Sequence, residues 1–178
     1  MPDKEIKKIL IPEQDIGELV ARLGREITEY YQEKGGELLV VGLLKGSFVF
    51  MADLIRAVDY PLKVDFLAVS SYNDSTVSSG DVKINMDIGE SVQGKDVLLV
   101  EDIVDTGNTF KKVIQLLQQR NPASLLTCSL LSKPSRREVD VSIDFLGRDI
   151  PDEFVCGYGL DYAQRFRNLR YIGVLGSS

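Results

Sequence analysis

The sequence predicts an α/β protein with a mainly parallel central sheet flanked by helices. Short continuous apolar runs, typical of strands buried on both faces, occur at 37–44, 97–100 and 124–132. Segments with apolar residues at helical spacing alternate with these runs, as expected for a sheet built from βαβ units. The chain has 178 residues and shows no internal repeat or linker, so a single domain is expected.

The elements follow in chain order. Helices are predicted at 13–34, 48–58 and 110–120. Strands are predicted at 6–12, 37–44, 62–72, 82–87, 97–100, 124–132, 143–146 and 171–175. Gly35-Gly36 is expected to end the first helix, and Ser47 is a favourable N-cap for the second.

Three segments fit the alternation poorly. Residues 73–80 are small and polar, which indicates either a mobile lid or an ordinary hairpin loop. Residues 150–162 are predicted to be irregular, although they are rich in aromatic side chains. The N-terminal and C-terminal pieces could come together as a cap over the carboxyl edge of the sheet.

The composition excludes several classes of function. The chain has no histidine, so the usual triads and zinc sites are absent and any general base must be a carboxylate, a lysine or a tyrosine. A net charge of −6 argues against a broad nucleic-acid surface. Cys128 lies in an apolar run and is expected to be a buried structural thiol.

No membrane segment is expected. No apolar run approaches the roughly 18 residues that span a bilayer. The first residues lack the apolar region of a signal peptide. A cytoplasmic protein is therefore predicted.

The stretch V-L-L-V-E-D-I-V-D-T-G-N-T at 97–109 predicts a ligand site. Its apolar half is a buried strand, and Glu101 and Asp102 follow at the carboxyl end, where open α/β sheets bind ligands. Asp105 to Thr109 then form a small polar loop at a helix N-terminus, which favours a bound phosphate.

The acidic residues of this stretch suggest distinct roles. Neighbouring side chains on a regular strand point to opposite faces, so Glu101 and Asp102 cannot both reach one atom. Carboxylates here suit the hydroxyl donors of a ribose and an oxocarbenium-like transition state. Asp105 is expected to be free to act as a base. Because phosphate beside these acids needs a counter-charge, Mg²⁺ is the expected cation.

This stretch closely resembles the PRPP-binding signature of type I phosphoribosyltransferases. Leu44-Lys45-Gly46 is similar to that family's pyrophosphate loop, and Ser71-Tyr72 opens a segment like its catalytic lid. Residues 133–137 and 150–167 look like the purine-binding pieces of its 6-oxopurine branch, the hypoxanthine-guanine phosphoribosyltransferases. The resemblance covers nearly the whole chain. It implies a core at about 36–148 and a small hood formed by about 1–12 and 149–178.

The resemblance implies a role for each matching residue on the PRPP side. Glu101 and Asp102 would meet the ribose hydroxyls and Mg²⁺. Asp105 would take the purine proton as the ring nitrogen attacks the anomeric carbon. The 5-phosphate would be held by the loop residues Asp105, Thr106, Gly107, Asn108 and Thr109. Asn108 departs from the serine or lysine common in relatives, which changes the polarity of the loop.

The remaining implied roles concern the purine and the pyrophosphate. Lys133 would donate to the 6-oxo group, Phe154 would stack on the base, and Val155 would bond its edge through the backbone. Asp161 would ligate a second Mg²⁺ carried by pyrophosphate. The leaving group would be gripped by Arg167, Lys45 and Gly46. The family often has a cis peptide before the lysine that matches Lys45, and Cys156 replaces a more usual valine.

The activity implied is Mg²⁺-dependent transfer of the phosphoribosyl group from PRPP to hypoxanthine or guanine, giving IMP or GMP and pyrophosphate. Relatives are usually homodimers or homotetramers. One alternative is a type I relative that acts on xanthine or a pyrimidine. The other is a regulator that keeps the fold and binds RNA or DNA, which the net charge of −6 disfavours.

Overall fold

The computed structural model of the chain describes residues 4–71 and 82–177. The α-helices of this part are α1 Glu13–Lys34, α2 Phe48–Ala57 and α3 Asn108–Gln118. The strands are β1 Lys4–Ile11, β2 Leu38–Leu44, β3 Leu62–Ser71, β4 Val82–Met86, β5 Asp96–Val104, β6 Ser124–Ser132, β7 Phe145–Asp149, β8 Val155–Cys156 and β9 Ile172–Ser177. Pro134–Arg136 forms one turn of 3₁₀-helix.

Six strands form the central sheet in the order β4-β3-β2-β5-β6-β7. All neighbours pair in parallel except β3 and β4, which are antiparallel. The mainly parallel sheet predicted from the sequence is confirmed. From β2 the chain adds β3 and β4 on one side, whereas β5, β6 and β7 extend the other side. The boundary between β2 and β5 is therefore the switch point where such sheets bind ligands.

Helices cover both faces of the sheet because its strands are apolar on both faces. In β5, Leu98 and Val100 belong to the apolar cluster that contains residues of α1 and α2. Val97 and Leu99 belong to the cluster that contains residues of α3. Each alternate residue of this strand is thus buried against a different helical layer, as the continuous apolar run predicted.

The terminal segments form a second, antiparallel sheet with the order β1-β9-β8. This sheet is the small hood that the resemblance implied. Ile11, Val155 and Ile172 share one apolar cluster with Leu98 of the central sheet. We propose that the two sheets belong to one domain, because residues of both sheets pack into the same apolar cluster.

Several element boundaries differ from the sequence prediction. Helix α3 begins at Asn108 rather than at 110, because the last residues of the polar loop already belong to its first turn. Strand β5 continues through the acid pair to Val104 instead of ending before it. The segment predicted to be irregular contains the short strand β8, which pairs with β9.

Ser47 precedes α2 as predicted, but the prediction that it caps the helix is wrong. Its hydroxyl donates to the carbonyl oxygen of Leu43 at 2.6 Å and makes no hydrogen bond to the helix. The backbone of Ser47 is already helical, with φ −73° and ψ −11°. A capping side chain normally comes from an extended residue, so this conformation explains the difference.

Part of the predicted lid lies outside the described residues. Ser71 is the last residue of β3, whereas Tyr72 and the segment 73–80 are not described. Across 4–71 and 82–177, no helix combines the length and the apolar character needed to cross a bilayer.

Helices α1 and α2 approach each other at a glycine, which yields a stability prediction. A Cβ at Gly24 would lie 2.5 Å from the carbonyl oxygen of Ala57, whereas a Cβ at exposed Gly17 would meet no atom within 4 Å. Gly24→Ala should lower the free energy of unfolding by about 1–3 kcal/mol, the usual effect of overpacking. Gly17→Ala, on the same helix, should raise it by about 0.5–1 kcal/mol. Urea denaturation measures both, and equal stability of the two variants would contradict the close packing.

Candidate active site

A cleft of about 580 Å³ opens at the carboxyl ends of the parallel strands, under the hood. Loops that follow β2, β5 and β6 line it from the sheet, and the segment 154–167 lines it from the opposite side. Its lining includes most of the predicted site residues: Lys45, Gly46, Asp102, Asp105, Lys133, Phe154, Val155, Asp161 and Arg167. The structure therefore brings together side chains that are far apart in the sequence.

Glu101 and Asp102 line two adjoining hollows at the end of β5, and their carboxyl groups lie within hydrogen-bond reach of each other. Asp102 lines the cleft. Glu101 lines a smaller adjoining hollow of about 150 Å³ together with Asp105, Thr106, Gly107 and Thr109. Each carboxylate accepts a backbone N–H: Glu101 from Asp102 at 3.0 Å, and Asp102 from Ile103 at 2.8 Å. The acid pair thus serves two adjacent compartments.

Both carboxyl groups are held in an environment that disfavours their charge. Burial raises the pKa of Glu101 well above its usual value, and the negative charge of Asp102 adds to that rise. Burial also raises the pKa of Asp102, although a side-chain hydrogen bond with Glu101, backbone hydrogen bonds and the Arg167 guanidinium oppose the rise. The ionised forms of these two adjacent carboxyl groups would be stabilised by a cation or by hydroxyl donors.

The loop of Asp105 to Thr109 leads directly into helix α3. Gly107 adopts a left-handed conformation with φ +85° at the position before the helix. A Cβ there would lie 3.0 Å from Val141 and 3.1 Å from Arg137, so the absence of a side chain at this position also lets these residues pack closely against the loop. The first turn of α3 contains no acidic residue. The N-terminus of the helix is therefore suited to an anion.

Asp105 has cationic neighbours on both carboxylate oxygens, which the sequence did not predict. Arg136 Nε donates to Asp105 Oδ1 at 3.0 Å, and Lys133 Nζ lies 3.6 Å from Oδ2. Arg137 Nη1 donates to the Asp105 carbonyl oxygen at 2.9 Å. The loop that follows β6 therefore holds Asp105 by side chain and backbone together.

The loop after β6 also forms hydrogen bonds with the next residues of the polar loop, Thr106 and Asn108. The backbone N–H of Glu138 donates to the Thr106 carbonyl oxygen at 3.0 Å. Asn108 Nδ2 donates to Glu138 Oε2 at 2.5 Å, so the departure at Asn108 creates a cross-link between the loops. Sequence pattern alone indicated no individual role for Arg136, Arg137 or Glu138. The Arg136-Arg137 pair, three residues after Lys133 in a chain of net charge −6, was the feature of the sequence that could have indicated such a role.

The segment after β2 packs closely on the acid pair. The Leu44–Lys45 peptide bond is cis, a point the sequence left open. A Cβ at Gly46 would overlap the carboxylate of Asp102, and a Cβ at Gly159 would overlap the carbonyl oxygen of Gly46. Gly159 also has φ +98°. Glycine at both positions allows the hood, the 45–46 segment and Asp102 to lie in direct contact.

The predicted purine-binding residues lie on two sides of the cleft. Lys133 is 6% exposed, and its backbone N–H donates to the Val104 carbonyl oxygen at 3.0 Å. Phe154 is 52% exposed and meets Tyr162 edge to face, with ring centroids 5.7 Å apart. Val155 is buried in β8. A planar ring could enter between the exposed aromatic side chain and the buried ammonium.

Asp161 and Arg167, which were predicted to bind metal and pyrophosphate, pair with each other. Arg167 Nη2 lies 2.9 Å from Asp161 Oδ1, and Arg167 Nη1 donates to the Gly159 carbonyl oxygen at 2.7 Å. Within 4–71 and 82–177, no group of three or more His, Cys, Asp or Glu side chains is placed to hold a metal ion. Glu101, Asp102 and Asp161 are therefore not assembled as a ready-made metal site.

The raised pKa of Asp102 yields a stability prediction for the metal-free protein. An unfolded aspartate titrates near 3.9, and the folded pKa is higher, so ionisation of this carboxyl destabilises the fold as pH rises. Asp102→Asn should raise the free energy of unfolding at pH 7 by about 0.5–2 kcal/mol, the range of single stabilising substitutions. The increase in the free energy of unfolding should be smaller at pH 4, where less of the wild-type Asp102 is ionised. Urea denaturation in EDTA measures both.

Asp87 offers a control of opposite sign. Arg120 Nη1 donates to it at 2.7 Å and lowers its pKa, so its ionised form favours the folded state. Asp87→Asn should therefore destabilise the protein slightly at pH 7, by less than about 1 kcal/mol because this pair is exposed. If Asp102→Asn destabilised the protein in the same way, the buried acids would not be electrostatically unfavourable.

Comparison with known proteins agrees with this geometry. A sequence model described as the phosphoribosyl transferase domain matches residues 5–163. The hypoxanthine phosphoribosyltransferase of Salmonella typhimurium is 55% identical over 170 residues, which is 96% of each chain. The hypoxanthine-guanine phosphoribosyltransferase of Bacillus subtilis is 50% identical over 175 residues, covering 98% of this chain and 96% of that one.

Solved structures show the same fold. The hypoxanthine phosphoribosyltransferase of Staphylococcus aureus superposes with a TM-score of 0.91 at 48% identity, covering 96% of this chain and 92% of that chain. The Trypanosoma cruzi hypoxanthine phosphoribosyl transferase, in which the C-terminal region has been studied for its role in oligomeric state and activity, gives 0.91 at 41% identity, covering 96% and 92%. The type I fold and the resemblance inferred from the motifs are confirmed, and the chain belongs to the phosphoribosyltransferase family, in its hypoxanthine(-guanine) branch.

Proposed function

We propose that this enzyme transfers the 5-phosphoribosyl group from PRPP to hypoxanthine or guanine, in a Mg²⁺-dependent reaction that gives IMP or GMP and pyrophosphate. The observation that carries the choice of acceptor is the pair of Lys133 and Asp105. The Lys133 ammonium and the Asp105 carboxylate lie side by side in the cleft, 3.6 Å apart. A 6-oxopurine presents an acceptor, O6, beside a donor, N7–H, on one edge, and the pair complements that edge.

The same pair disfavours adenine. Its 6-amino group is a donor, so the buried Lys133 ammonium would face another donor instead of a hydrogen-bond acceptor. Phe154 would stack on one face of the purine. The backbone of Val155 would bond the edge that distinguishes hypoxanthine from guanine, which explains how one site can accept both bases.

The PRPP donor would lie across β5. The backbone amides and hydroxyls from Asp105 to Thr109, at the N-terminus of α3, would hold the 5-phosphate. Glu101 and Asp102 would accept hydrogen bonds from the ribose hydroxyls. Their negative charge would also stabilise the oxocarbenium-like transition state at the anomeric carbon. Asp105 would take the N7 proton as N9 attacks that carbon.

The acid pair also fits a divalent cation. Glu101 is half-buried and Asp102 is buried, both carboxyl groups have a raised pKa, and the described residues contain no complete metal site. Mg²⁺ typically binds one or two carboxylates and takes its other ligands from water and substrate phosphates. Glu101 and Asp102 would hold one ion with the ribose, and Asp161 would hold a second with pyrophosphate. Bound there, Mg²⁺ would neutralise charge on the leaving group.

Pyrophosphate would be gripped by Lys45, the Gly46 backbone and Arg167. In the free protein the Arg167 guanidinium is occupied by Asp161 at 2.9 Å. We propose that pyrophosphate replaces Asp161 as the partner of Arg167, which would leave the Asp161 carboxylate available to a cation. Ser71 and Tyr72 would begin a lid that closes over the centre and excludes water.

The setting of the reaction is part of the proposal. PRPP is phosphorylated and does not cross membranes unaided, so we place the reaction in the cytoplasm. No nucleic acid or membrane is expected to take part, given the net charge of −6. A homodimer or homotetramer is proposed, because oligomeric state is a studied property of the similar Trypanosoma cruzi enzyme.

The direct test is pyrophosphate release from PRPP with hypoxanthine, guanine, xanthine and adenine in turn. Hypoxanthine or guanine should give the highest kcat/KM and adenine the lowest. EDTA should abolish turnover, and added Mg²⁺ should restore it. A clear preference for xanthine would favour another acceptor. Release that survives removal of the metal would contradict the role of the acid pair.

Asp105→Asn should lower kcat by about 10²–10⁴-fold, the usual contribution of a general base. The amide keeps the size of the side chain but cannot take a proton. Asp140→Asn, at an exposed position on the loop beyond β6, should leave turnover unchanged. Steady-state kinetics with hypoxanthine measures both, and unimpaired kcat in Asp105→Asn would remove this residue from the mechanism.

Lys133→Met should lower kcat/KM for hypoxanthine and guanine by about 10–100-fold, because a charged hydrogen bond contributes about 1.5–3 kcal/mol. The methionine keeps most of the buried stem. Discrimination against adenine should fall in the same variant. Lys7→Met, at an exposed position of the hood, is the control. Wild-type selectivity in Lys133→Met would mean that the lysine does not select the base.

A further inference from the structure

Arg136 contacts the carboxylate of the proposed base from outside the cleft. It ends the 3₁₀ turn that begins directly after Lys133. Its Nε donates to Asp105 Oδ1 at 3.0 Å, and its Nη1 lies 3.6 Å from Asp152 Oδ2 in the hood segment. The residues that line the cleft include Asp105 and Lys133 but not Arg136. Arg136 can therefore influence a bound purine only through another residue.

The two oxygens of Asp105 have different neighbours. Oδ1 accepts from Arg136, whereas Oδ2 faces the buried Lys133 ammonium at 3.6 Å. The torsion that turns a carboxylate is soft, so the two oxygens exchange easily unless a partner holds one of them. Arg136 supplies that partner from outside the cleft. The other oxygen is then directed to the position where the N7 proton would lie.

We infer that Arg136 is a positioning residue for the reaction: it holds Asp105 so that Oδ2 meets the purine proton beside Lys133. This inference rests on the proposed function, in which Asp105 is the base. Because Nε and Nη1 face two different carboxylates, the planar guanidinium fork suits the task better than a single ammonium. Arg136 thereby also links the base to Asp152 of the hood.

Because Arg136 and Asp105 are both partly exposed, a positioning role can be distinguished from a stabilising one. The side chains of Arg136 and Asp105 are 46% and 40% exposed. Exposed ion pairs contribute little to stability, about 0–1 kcal/mol. The orientation of a reacting group, in contrast, changes rate strongly, and a misplacement of about 1 Å can lower it about 10²-fold. A loss of turnover with little loss of stability is therefore the expected signature.

The experiment compares Arg136→Met, Arg136→Lys, Asp105→Asn and the double variant Arg136→Met/Asp105→Asn in steady-state kinetics with PRPP and hypoxanthine. Arg136→Met should lower kcat by about 10–100-fold. Its KM for both substrates should stay within about 2-fold of wild type, because Arg136 contacts neither. Arg136→Lys should recover part of the loss. The double variant should be no slower than Asp105→Asn, since Arg136 acts through Asp105.

The controls separate failure of this inference from failure of the proposed function. Arg56→Met, on α2 and 79% exposed, should keep wild-type kcat, and thermal unfolding of Arg136→Lys should match wild type. Wild-type kcat in Arg136→Met, or multiplicative losses in the double variant, would overturn the positioning role while the transferase reaction stands. Wild-type kcat in Asp105→Asn would overturn both the base and Arg136. Absence of turnover in the wild type would overturn the proposed function itself.

Discussion

Negative charge is crowded where strand β5 ends, and much of the surrounding structure compensates for it. Burial disfavours ionisation of Glu101 and Asp102, and Asp105 follows three residues later with two cationic neighbours. The Asp102 carboxylate occupies the space that a side chain at position 46 would need, so only glycine fits there. In the proposed reaction, ribose hydroxyls and a cation would offset this unfavourable crowding of charge, as expected where function is built at the expense of stability.

The loop after β6 joins the proposed base-recognition residue to the proposed phosphate loop. Lys133 faces the cleft, and the next residues grip the polar loop through the Asp105 carbonyl oxygen and the Thr106 carbonyl oxygen. A shift in one loop therefore moves the other. In the proposed reaction this linkage would fix the relative positions of the purine, the general base and the 5-phosphate. Attack at the anomeric carbon requires such a fixed geometry.

The sequence predicted what depends on local pattern. Helix α1 and strand β6 have the predicted bounds. Partners distant in the chain were not predicted, because neither periodicity nor spacing encodes them. Arg136 is 31 residues from Asp105, and only the fold shows that the proposed base is already bound by cations. Ser47 was mistaken for a cap because its residue type does not reveal its helical backbone.

A crystal structure with IMP and Mg²⁺ tests the central assignment most directly. The account predicts the 5-phosphate on the backbone amides of 105–109, the 6-oxo group within hydrogen-bond distance of Lys133 Nζ, and N7 beside Asp105 Oδ2. The ribose hydroxyls should face Glu101 and Asp102. A nucleotide bound with its phosphate away from the N-terminus of α3, or with its 6-oxo group away from Lys133, would contradict the account.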